Sequence, residues 1–284
     1  MATSLCIGLE LPALSAWAST DGRSARSPDV DAAWHAAAGA VAEGVTCVWF
    51  SDSGAGDGPA CDPCAIAAAW AVQRGDALAG VVATFPRTRA PGVLARELTS
   101  LDVLSDGGAA VLLRWAGEDV HACAYLAEAL EVCRAVFSQP DPVFEGRYVH
   151  VAGAVNRPAP SQPAGPPIAV DLGSLRPDAP AVVTSPASLR RIVDGAAALV
   201  CSGTAEHVRA WRKELDELSS GSPTPALVHR YRASGTVAPG APDAIRDAGA
   251  DGVVVAVPPE RMPSGARDDG LARAVGEWIA PWLR

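Results

Sequence analysis

Short apolar runs alternate with longer amphipathic segments along the whole chain, and this alternation predicts strands and helices in turn. The apolar runs predict eight strands, at Leu5–Leu9, Val45–Phe50, Leu78–Ala83, Ala109–Leu113, Ile168–Leu172, Ala197–Cys201, Ala226–Tyr231 and Gly252–Val257. The amphipathic segments predict eight helices, at Asp29–Glu43, Cys64–Gln73, Val93–Leu104, Val120–Phe137, Pro186–Asp194, Ala205–Leu218, Ala241–Ala248 and Leu271–Leu283. Asp29 and Thr204 are suited to cap helices, and Gly44 and Gly249 to end them.

Strict alternation of strands and helices indicates a parallel sheet, because parallel strands need a crossover and a helix makes a compact one. Eight such units over about 250 residues predict an α/β protein with a (β/α)₈ TIM barrel, formed as a single domain over residues 1–284. The rival is a doubly wound open sheet. That fold usually carries a glycine-rich phosphate fingerprint after its first strand, and this chain reads ELPALSAWAS there.

One region breaks the alternation. The segment from Phe144 to Pro167 predicts a short β-ribbon followed by a proline-rich connection, before the fifth strand of the barrel. Its five prolines from position 158 to 167 favour an extended path without a helix. We expect an ordered surface excursion.

Composition limits the function. The hydrophobic content of 49% is ample for a buried core, and the net charge of −9 makes nucleic acid an unsuitable partner. Seven scattered cysteines do not indicate a disulfide framework and favour a reducing cytoplasm. No apolar run has the roughly 20 residues of a membrane span, so we expect a soluble cytoplasmic protein without a membrane partner.

The middle of the chain carries a recognisable pattern. From Pro91, the segment PGVLARELTSLDVLSDGG resembles the P-x-x-x-A-R-E-x-x-x-L-D-x-L-S-x-G helix of the bacterial-luciferase-like flavin and deazaflavin oxidoreductases. The stretch LAEALEVCRAVFSQPDPVFEGRYVHV and its proline-rich continuation resemble the same family up to the fifth strand. Weaker similarity extends to GVTCVWFSDSG and DPCAIAAAWAV upstream, and to SGTAEHVRAWRKEL and AGADGVVVAVP downstream. The match is most specific from Pro91 to Val170.

The resemblance implies a luciferase-like barrel that binds FMN or a deazaflavin (coenzyme F420) and acts on a small-molecule substrate. It also implies a homodimer, or a heterodimer with a related subunit, that associates through the second and third helices. Exposed Ile66 and Trp70 would support that interface.

The second strand ends at Asp52 and Ser53, where such enzymes place their active sites. Deazaflavin-using relatives commonly have Asp-His here, and a serine has no comparable pKa for proton transfer. We therefore list Asp52 and Ser53 as candidate catalytic residues, with Asp52 positioning a ligand or acting as a base. The alternative is that Asp52 caps the DSGAGDG loop.

The third strand ends with Val82, Ala83 and Thr84. In relatives a bulge at this place, often with a non-prolyl cis peptide, supports the flavin ring, and these small residues are compatible with one. They are candidate cofactor contacts.

The fourth and fifth strands depart from the family pattern. Arg114 follows the fourth strand, and the loop that usually covers the substrate is shortened before the next helix. Arg114 is a candidate phosphate or carboxylate ligand, although we favour an ion pair with Glu118 or Asp119. Asp171 stands where relatives have a Gly-Gly turn, and its charge would repel a cofactor phosphate.

Two later helix starts are suited to anions: Thr184-Ser185, and Ser202-Gly203-Thr204. These residues are candidate phosphate contacts, with ordinary N-capping as the favoured alternative. No metal site is predicted, because the histidines and the single C-x-x-C pair, Cys61 and Cys64, lack the spacing of a ligand set. A thiol-redox role for that pair is a remote third hypothesis.

The leading hypothesis is a flavin- or deazaflavin-dependent oxidoreductase or monooxygenase that transfers hydride to a small organic substrate or activates oxygen for it. The alternative is a degenerate, non-catalytic member without cofactor that serves as a partner subunit or small-ligand binder. The missing histidine, the missing Gly-Gly turn and the shortened loop all favour the second.

Overall fold

The computed structural model describes residues 6–12, 30–52, 61–73, 77–85, 89–116, 119–173, 185–219, 223–233, 237–258 and 269–283, with side chains from 34 in the first helix and from 271 in the last. Asp29, Ser53, Glu118 and Thr184 lie outside these ranges. Within them, no helix is both long and apolar enough to cross a membrane.

Eight parallel strands close into a barrel, which confirms the predicted fold class. The strands and the short ribbon, in chain order, are β1 Cys6–Leu11, β2 Cys47–Ser51, β3 Leu78–Phe85, β4 Ala109–Trp115, β5 Phe144–Glu145, β6 His150–Val151, β7 Ile168–Asp171, β8 Ala198–Cys201, β9 Ala226–Arg232 and β10 Gly252–Ala256. β5 and β6 form the predicted antiparallel ribbon, so β7 is the fifth strand of the barrel. Strands β1 and β10 pair and complete the closure.

The helices alternate with these strands as predicted. They are α1 Val30–Ala42, α2 Pro63–Gln73, α3 Pro91–Leu104, α4 Ala122–Ser138, α5 Pro186–Gly195, α6 Ala205–Leu218, α7 Ala241–Asp247 and α8 Asp269–Ile279, followed by a 3₁₀ turn at Ala280–Trp282. Gly44 and Gly249 follow α1 and α7 with positive φ of 114° and 97°, as expected of helix-ending glycines.

The main core lies between the outer face of the barrel and the helices. It corrects one expectation, because Trp70 of α2 is only 1% exposed and packs against Phe50, with ring centroids 6.2 Å apart. Ile66 is half-buried against the same core. A tryptophan this large is most stable inside the helix–strand layer, so Trp70 is a core residue and gives no support to an interface.

The inner face of the barrel contains a second, smaller core. Val82, Leu112, Ala169 and Val200 meet there from four strands. Trp49 lies beside them, where it takes the space that side chains on Gly8 and Gly80 would need: a Cβ on Gly80 would stand 2.3 Å from the Trp49 ring. Side chains therefore fill the interior of the barrel below its carboxyl end.

Polar residues of α3 and α4 hold the excursion between α4 and β7. The carboxylate of Glu128, only 4% exposed, accepts hydrogen bonds from the backbone N–H groups of Arg147, Tyr148 and Val149 at 2.8–2.9 Å. Fully buried Asp102 accepts from the backbone N–H and the side-chain amide of Gln162, at 3.0 and 2.6 Å. Backbone N–H groups of an irregular segment have no strand or helix carbonyl to donate to, and the two carboxylates accept their hydrogen bonds instead.

We expect Glu128→Gln to lower the free energy of unfolding by about 2–3 kcal/mol, because the amide turns an N–H donor toward backbone donors that are buried with it. Urea denaturation followed by circular dichroism measures the change. Glu145→Gln, on an exposed position of the same ribbon, is the matched control and should leave stability unchanged. Equal effects of the two substitutions would contradict the anchoring role of Glu128.

Candidate active site at the mouth of the barrel

Four charged side chains from four different strands meet inside the carboxyl end of the barrel. They are Glu10 of β1, Arg114 of β4, Asp171 of β7 and Arg230 of β9, and we call them the charged floor. Each of these side chains faces into the barrel, because residues two positions apart on a strand point to the same side. The residues two positions before Arg114, Asp171 and Arg230 line the inner core: Leu112, Ala169 and Val228. Gly8, two positions before Glu10, faces the Trp49 ring there. The floor therefore lies directly above the apolar filling of the barrel.

Glu10 is the centre of the charged floor. Its two carboxylate oxygens accept hydrogen bonds from Nη1 and Nη2 of Arg114 at 2.7 and 3.0 Å. The same oxygens accept from Nε and Nη2 of Arg230 at 2.6 and 3.1 Å. Two guanidinium groups thus share one carboxylate whose side chain is only 4% exposed.

Asp171, the second carboxylate of the floor, bonds to Arg114. Asp171 accepts a hydrogen bond from Nε of Arg114 at 2.7 Å, and its other oxygen accepts from the backbone N–H of Gly173, also at 2.7 Å. An ion pair for Arg114 was favoured from the sequence, but the carboxylates it contacts inside the barrel are Glu10 and Asp171, which were not anticipated. Since residue 114 faces inward, Asp119 on the loop outside is poorly placed for it; Asp119 instead accepts from the backbone N–H of His121.

The electrostatic effect on Glu10 is large. Burial by itself would raise the pKa of Glu10, but Arg114 and Arg230 outweigh it and bring the pKa to about 2. Arg114 is in turn held in its charged form, because Glu10 and Asp171 more than offset its own desolvation and raise its pKa. Glu10 and Arg114 therefore both carry their charges at neutral pH.

Asp52 and Thr84 lie beside this floor at the ends of β2 and β3. Oδ2 of Asp52 accepts a hydrogen bond from the backbone N–H of Thr84 at 3.0 Å, so this oxygen closes the end of the sheet where β2 stops. Oδ1 of Asp52 and the hydroxyl of Thr84 are buried, and neither has a hydrogen-bond partner in the described structure. Burial raises the pKa of Asp52 above its ordinary value, and the nearby hydroxyl and backbone N–H of Thr84 oppose part of that rise.

The bulge implied for the third strand is not formed. Strand β3 stays in continuous register with β4, from Ala79 opposite Ala109 to Phe85 opposite Trp115, so Val82, Ala83 and Thr84 are regular strand residues. Val82 belongs to the inner core and Ala83 to the outer one. The cis peptide bond in the described residues is Arg157–Pro158, far from this strand.

Ser185 and Thr204, two of the predicted anion contacts at helix starts, act as caps in the described structure. The Ser185 hydroxyl accepts from the backbone N–H of Ser188 at the start of α5. At the start of α6, the Thr204 backbone N–H donates to Nδ1 of His207 at 3.2 Å, and a Cβ on Gly203, whose φ is +114°, would stand 3.0 Å from the same ring atom. Both arrangements fit the favoured capping alternative.

Cys64 has the wrong environment for a redox thiol. Burial raises its pKa to about 12, and the nearby Glu97 carboxylate adds to that effect. Its neighbour Arg89 is paired with Asp62 and Glu97. A thiolate is the reactive form of cysteine, so this geometry weighs against the thiol-redox hypothesis.

Sequence reasoning missed Glu10 and Arg230 as site residues. A signal for both exists, because each is a charged residue at the inward phase of an otherwise apolar or alternating strand, in IGLEL and LVHRYR. The ends predicted for β1, β3 and β4 fell just before Glu10, Thr84 and Arg114, where the apolar run stops. His229, next to Arg230, faces the opposite way and is buried toward Trp282.

Comparison with known proteins agrees with the fold. A model of the luciferase-like monooxygenase family matches residues 13–218. The chain matches no curated protein sequence.

Solved structures show the same architecture at low sequence identity. The chain is similar to the monooxygenase RslO1 from Streptomyces bottropensis, with a TM-score of 0.68 and 17% identity over 99% of this chain and 100% of that one. It is similar to the coenzyme F420-dependent tetrahydromethanopterin reductase from Methanopyrus kandleri, with a TM-score of 0.65 and 13% identity over 99% and 100%. It is also similar to the oxygenating constituent of 3,6-diketocamphane monooxygenase from Pseudomonas putida in complex with FMN, with a TM-score of 0.55 and 15% identity over 81% and 67%.

We expect Glu10→Gln to lower the free energy of unfolding by about 3 kcal/mol at pH 7, because it leaves Arg114, which is largely buried, with one carboxylate and Arg230, which is partly exposed, with none. Glu217→Gln is the control: its Oε1 lies 3.9 Å from Nζ of Lys213 on the surface, and loss of that pair should cost about 0.5 kcal/mol or less. Urea denaturation of both variants measures the difference.

The effect of Glu10 has a defined pH dependence. Its folded-state pKa of about 2 lies below the ordinary 4.5, so its contribution is complete above pH 4.5 and is lost as the pH falls toward 2. The difference in free energy of unfolding between the wild-type protein and Glu10→Gln should therefore decrease as the pH is lowered from 4.5 to 2. A difference that stays constant with pH would show that the charge of Glu10 is not what stabilises the floor.

Proposed function

The chain belongs to the luciferase-like monooxygenase family, and on that premise we propose that it is an oxidoreductase with its active site above the charged floor. In this proposal it binds FMN or the deazaflavin coenzyme F420 at the mouth of the barrel and acts on a small organic substrate. The names of the similar structures support both cofactor types, since one is described as F420-dependent and another is in complex with FMN.

The observation that carries the proposal is the pair of unpartnered polar atoms beside the floor. Oδ1 of Asp52 and Oγ1 of Thr84 are buried without a hydrogen-bond partner in the described structure. Leaving such groups unpaired costs about 1–3 kcal/mol each, so a ligand that pairs with them gains that energy. A flavin or deazaflavin ring has N–H and carbonyl groups along one edge, and these fit an acceptor beside a hydroxyl.

The cofactor, when bound, supplies the redox chemistry, and the chain supplies position and protons. Asp52 is the group that we propose to hold the proton, because burial raises its pKa above the ordinary value and its Oδ1 has no hydrogen-bond partner among the described residues. The hydrogen bond from the Thr84 backbone fixes its other oxygen and thereby its orientation. Ser53, the next residue in the sequence, stays a candidate catalytic residue.

The charged floor limits access of water from below. Its four groups are linked by hydrogen bonds across the barrel, and the apolar residues Val82, Leu112, Ala169 and Val200 pack beneath them. A dry floor strengthens the electrostatic interactions of whatever lies on it.

The charged floor offers no clear binding group for the phosphate of a cofactor. Arg114, a candidate for this role, is bonded to Glu10 and Asp171, and Asp171 adds a negative charge beside it. A second candidate function follows from this pair: a member that has lost its cofactor and serves as a partner subunit or small-ligand binder. We rank it second because a partner subunit without a ligand would leave the Asp52 and Thr84 atoms unpaired, and because the similar structures are described as monooxygenases and a reductase.

We also propose a cytoplasmic protein that associates through α2 and α3, as a homodimer or with a related subunit. Large apolar side chains at the ends of these helices support the interface: Val72 is 66% exposed, Val93 50% and Leu104 56%.

Titration of the purified protein with FMN and with F420, followed by fluorescence, tests the proposal. We expect saturable binding of one of them, weakened about tenfold by Thr84→Val, which removes the hydroxyl and keeps the shape. We expect Asp52→Asn to bind the cofactor and to lower kcat by about 100-fold or more, because the amide cannot take up the proton.

Asp106→Asn is the matched control, since Asp106 is exposed on the turn between α3 and β4 at the opposite end of the barrel. It should leave both measurements unchanged. A folded protein that binds neither cofactor would overturn the oxidoreductase proposal and favour the second candidate.

A further inference from the structure

Arg230 forms hydrogen bonds to the charged floor through only one edge of its guanidinium group. Its Nε and Nη2 atoms bond to Glu10, and Nη1 has no hydrogen-bond partner among the described residues. The side chain is 28% exposed, compared with 11% for Arg114 and 4% for Glu10. Since the residue faces the barrel axis, this exposed edge faces the mouth.

Ser202 lies next to Arg230. Strands β8 and β9 pair as far as Cys201 opposite His229, so the following residues, Ser202 and Arg230, are neighbours at the rim. The hydroxyl of Ser202 is directed toward the end of β7, where it would stand 3.6 Å from a Cβ on Gly173. It has no hydrogen-bond partner within the described part of the chain and is partly exposed.

The geometry of Arg230 is fixed before any ligand arrives. Glu10 holds the guanidinium plane through two hydrogen bonds, so a ligand on the opposite edge does not have to immobilise a flexible side chain. A guanidinium edge with free N–H groups matches the paired oxygens of a carboxylate or a phosphate. The carboxylates nearest to it do not compete, because Glu10 and Asp171 are already occupied by Arg114, Arg230 and the Gly173 backbone.

We infer that the open edge of Arg230, together with the Ser202 hydroxyl, is a binding site for an oxyanion, a carboxylate or phosphate group carried by a small ligand in the mouth. The substrate of the enzyme is then an anionic molecule whose charged group docks on Arg230. This inference rests on the proposed function, because it places the substrate in the same mouth as Asp52. A cofactor phosphate has the same chemistry, and the experiment separates the two sources.

The experiment measures binding of inorganic phosphate to the wild-type protein, Arg230→Gln and Ser202→Ala by isothermal titration calorimetry. Saturable binding is expected, weakened about tenfold by Arg230→Gln, which loses a charge-assisted hydrogen bond, and less by Ser202→Ala. Arg209→Gln, on an exposed position of α6, is the matched control and should bind phosphate like the wild-type protein. Equal phosphate binding by all four proteins would overturn the inference.

A second measurement needs no variant, in case Arg230→Gln fails to fold. Phenylglyoxal modifies accessible arginine side chains, and the modified peptides are identified by mass spectrometry. Phosphate should protect Arg230 and leave Arg209 as reactive as before. Modification of Arg230 at the same rate with and without phosphate would overturn the inference.

Binding of FMN and of riboflavin, which lacks the phosphate, identifies the source of the oxyanion. If Arg230→Gln weakens FMN but not riboflavin, the site takes the cofactor phosphate. If it weakens neither while still losing inorganic phosphate, the site takes the substrate. The inference and the proposed function fail separately. Phosphate binding at Arg230 without any flavin or F420 binding overturns only the proposed function. Cofactor binding without any effect of Arg230→Gln on phosphate binding overturns only the inference.

Discussion

The carboxylate of Glu10, bound by two guanidinium groups inside the barrel, is the interaction on which the site depends. Charges are buried at low cost only when they are paired and hydrogen-bonded, so placing Glu10 in the axis requires Arg114 and Arg230 to reach it from opposite strands. Arg114 in turn bonds to Asp171, the residue that the sequence analysis identified as a departure from the family pattern. That departure is therefore part of the charged floor, with Arg230 left open on its outer edge.

The residues that identify the family are mostly residues of the scaffold. Thr99 and Asp102 of the α3 motif and Glu128 of α4 bind the excursion before β7, where Asn156 also donates to Thr99 at 2.9 Å. These contacts explain why the resemblance is most specific from Pro91 to Val170 and why it says little about chemistry. Of the polar groups at the mouth, Arg114 lies within that segment, and the others lie outside it: Glu10, Asp52, Thr84, Asp171 and Arg230.

The sequence was sufficient for the barrel, the ribbon and most element boundaries, because period-two and amphipathic patterns directly reflect which face is buried. It also brought Asp52 and Thr84 to the same edge of the sheet, because the ends of parallel strands meet there, and the two residues are hydrogen-bonded; their roles in the site stay predictions. It was not sufficient for Glu10, because the first strand was predicted to end at Leu9, where the apolar run stops. It was not sufficient for Arg230 either: this residue lay inside the predicted strand Ala226–Tyr231, but its inward direction was not recognised. The partners of Arg114 were also out of reach: Glu10 is 104 positions away along the chain and Asp171 57, and only closure of the barrel brings them together. Trp70 was misplaced because a nearly uniform apolar helix does not reveal which face is outside.

A crystal structure of the protein with bound FMN or F420 tests the central claim, that the charged floor is intact and supports a cofactor. The account predicts the ring above Glu10 and Arg114, with its polar edge within hydrogen-bond distance of Oδ1 of Asp52 and the hydroxyl of Thr84. The four floor residues should keep their present partners. A cofactor bound elsewhere, or one that enters the barrel by separating Arg114 from Glu10 and Asp171, would contradict it.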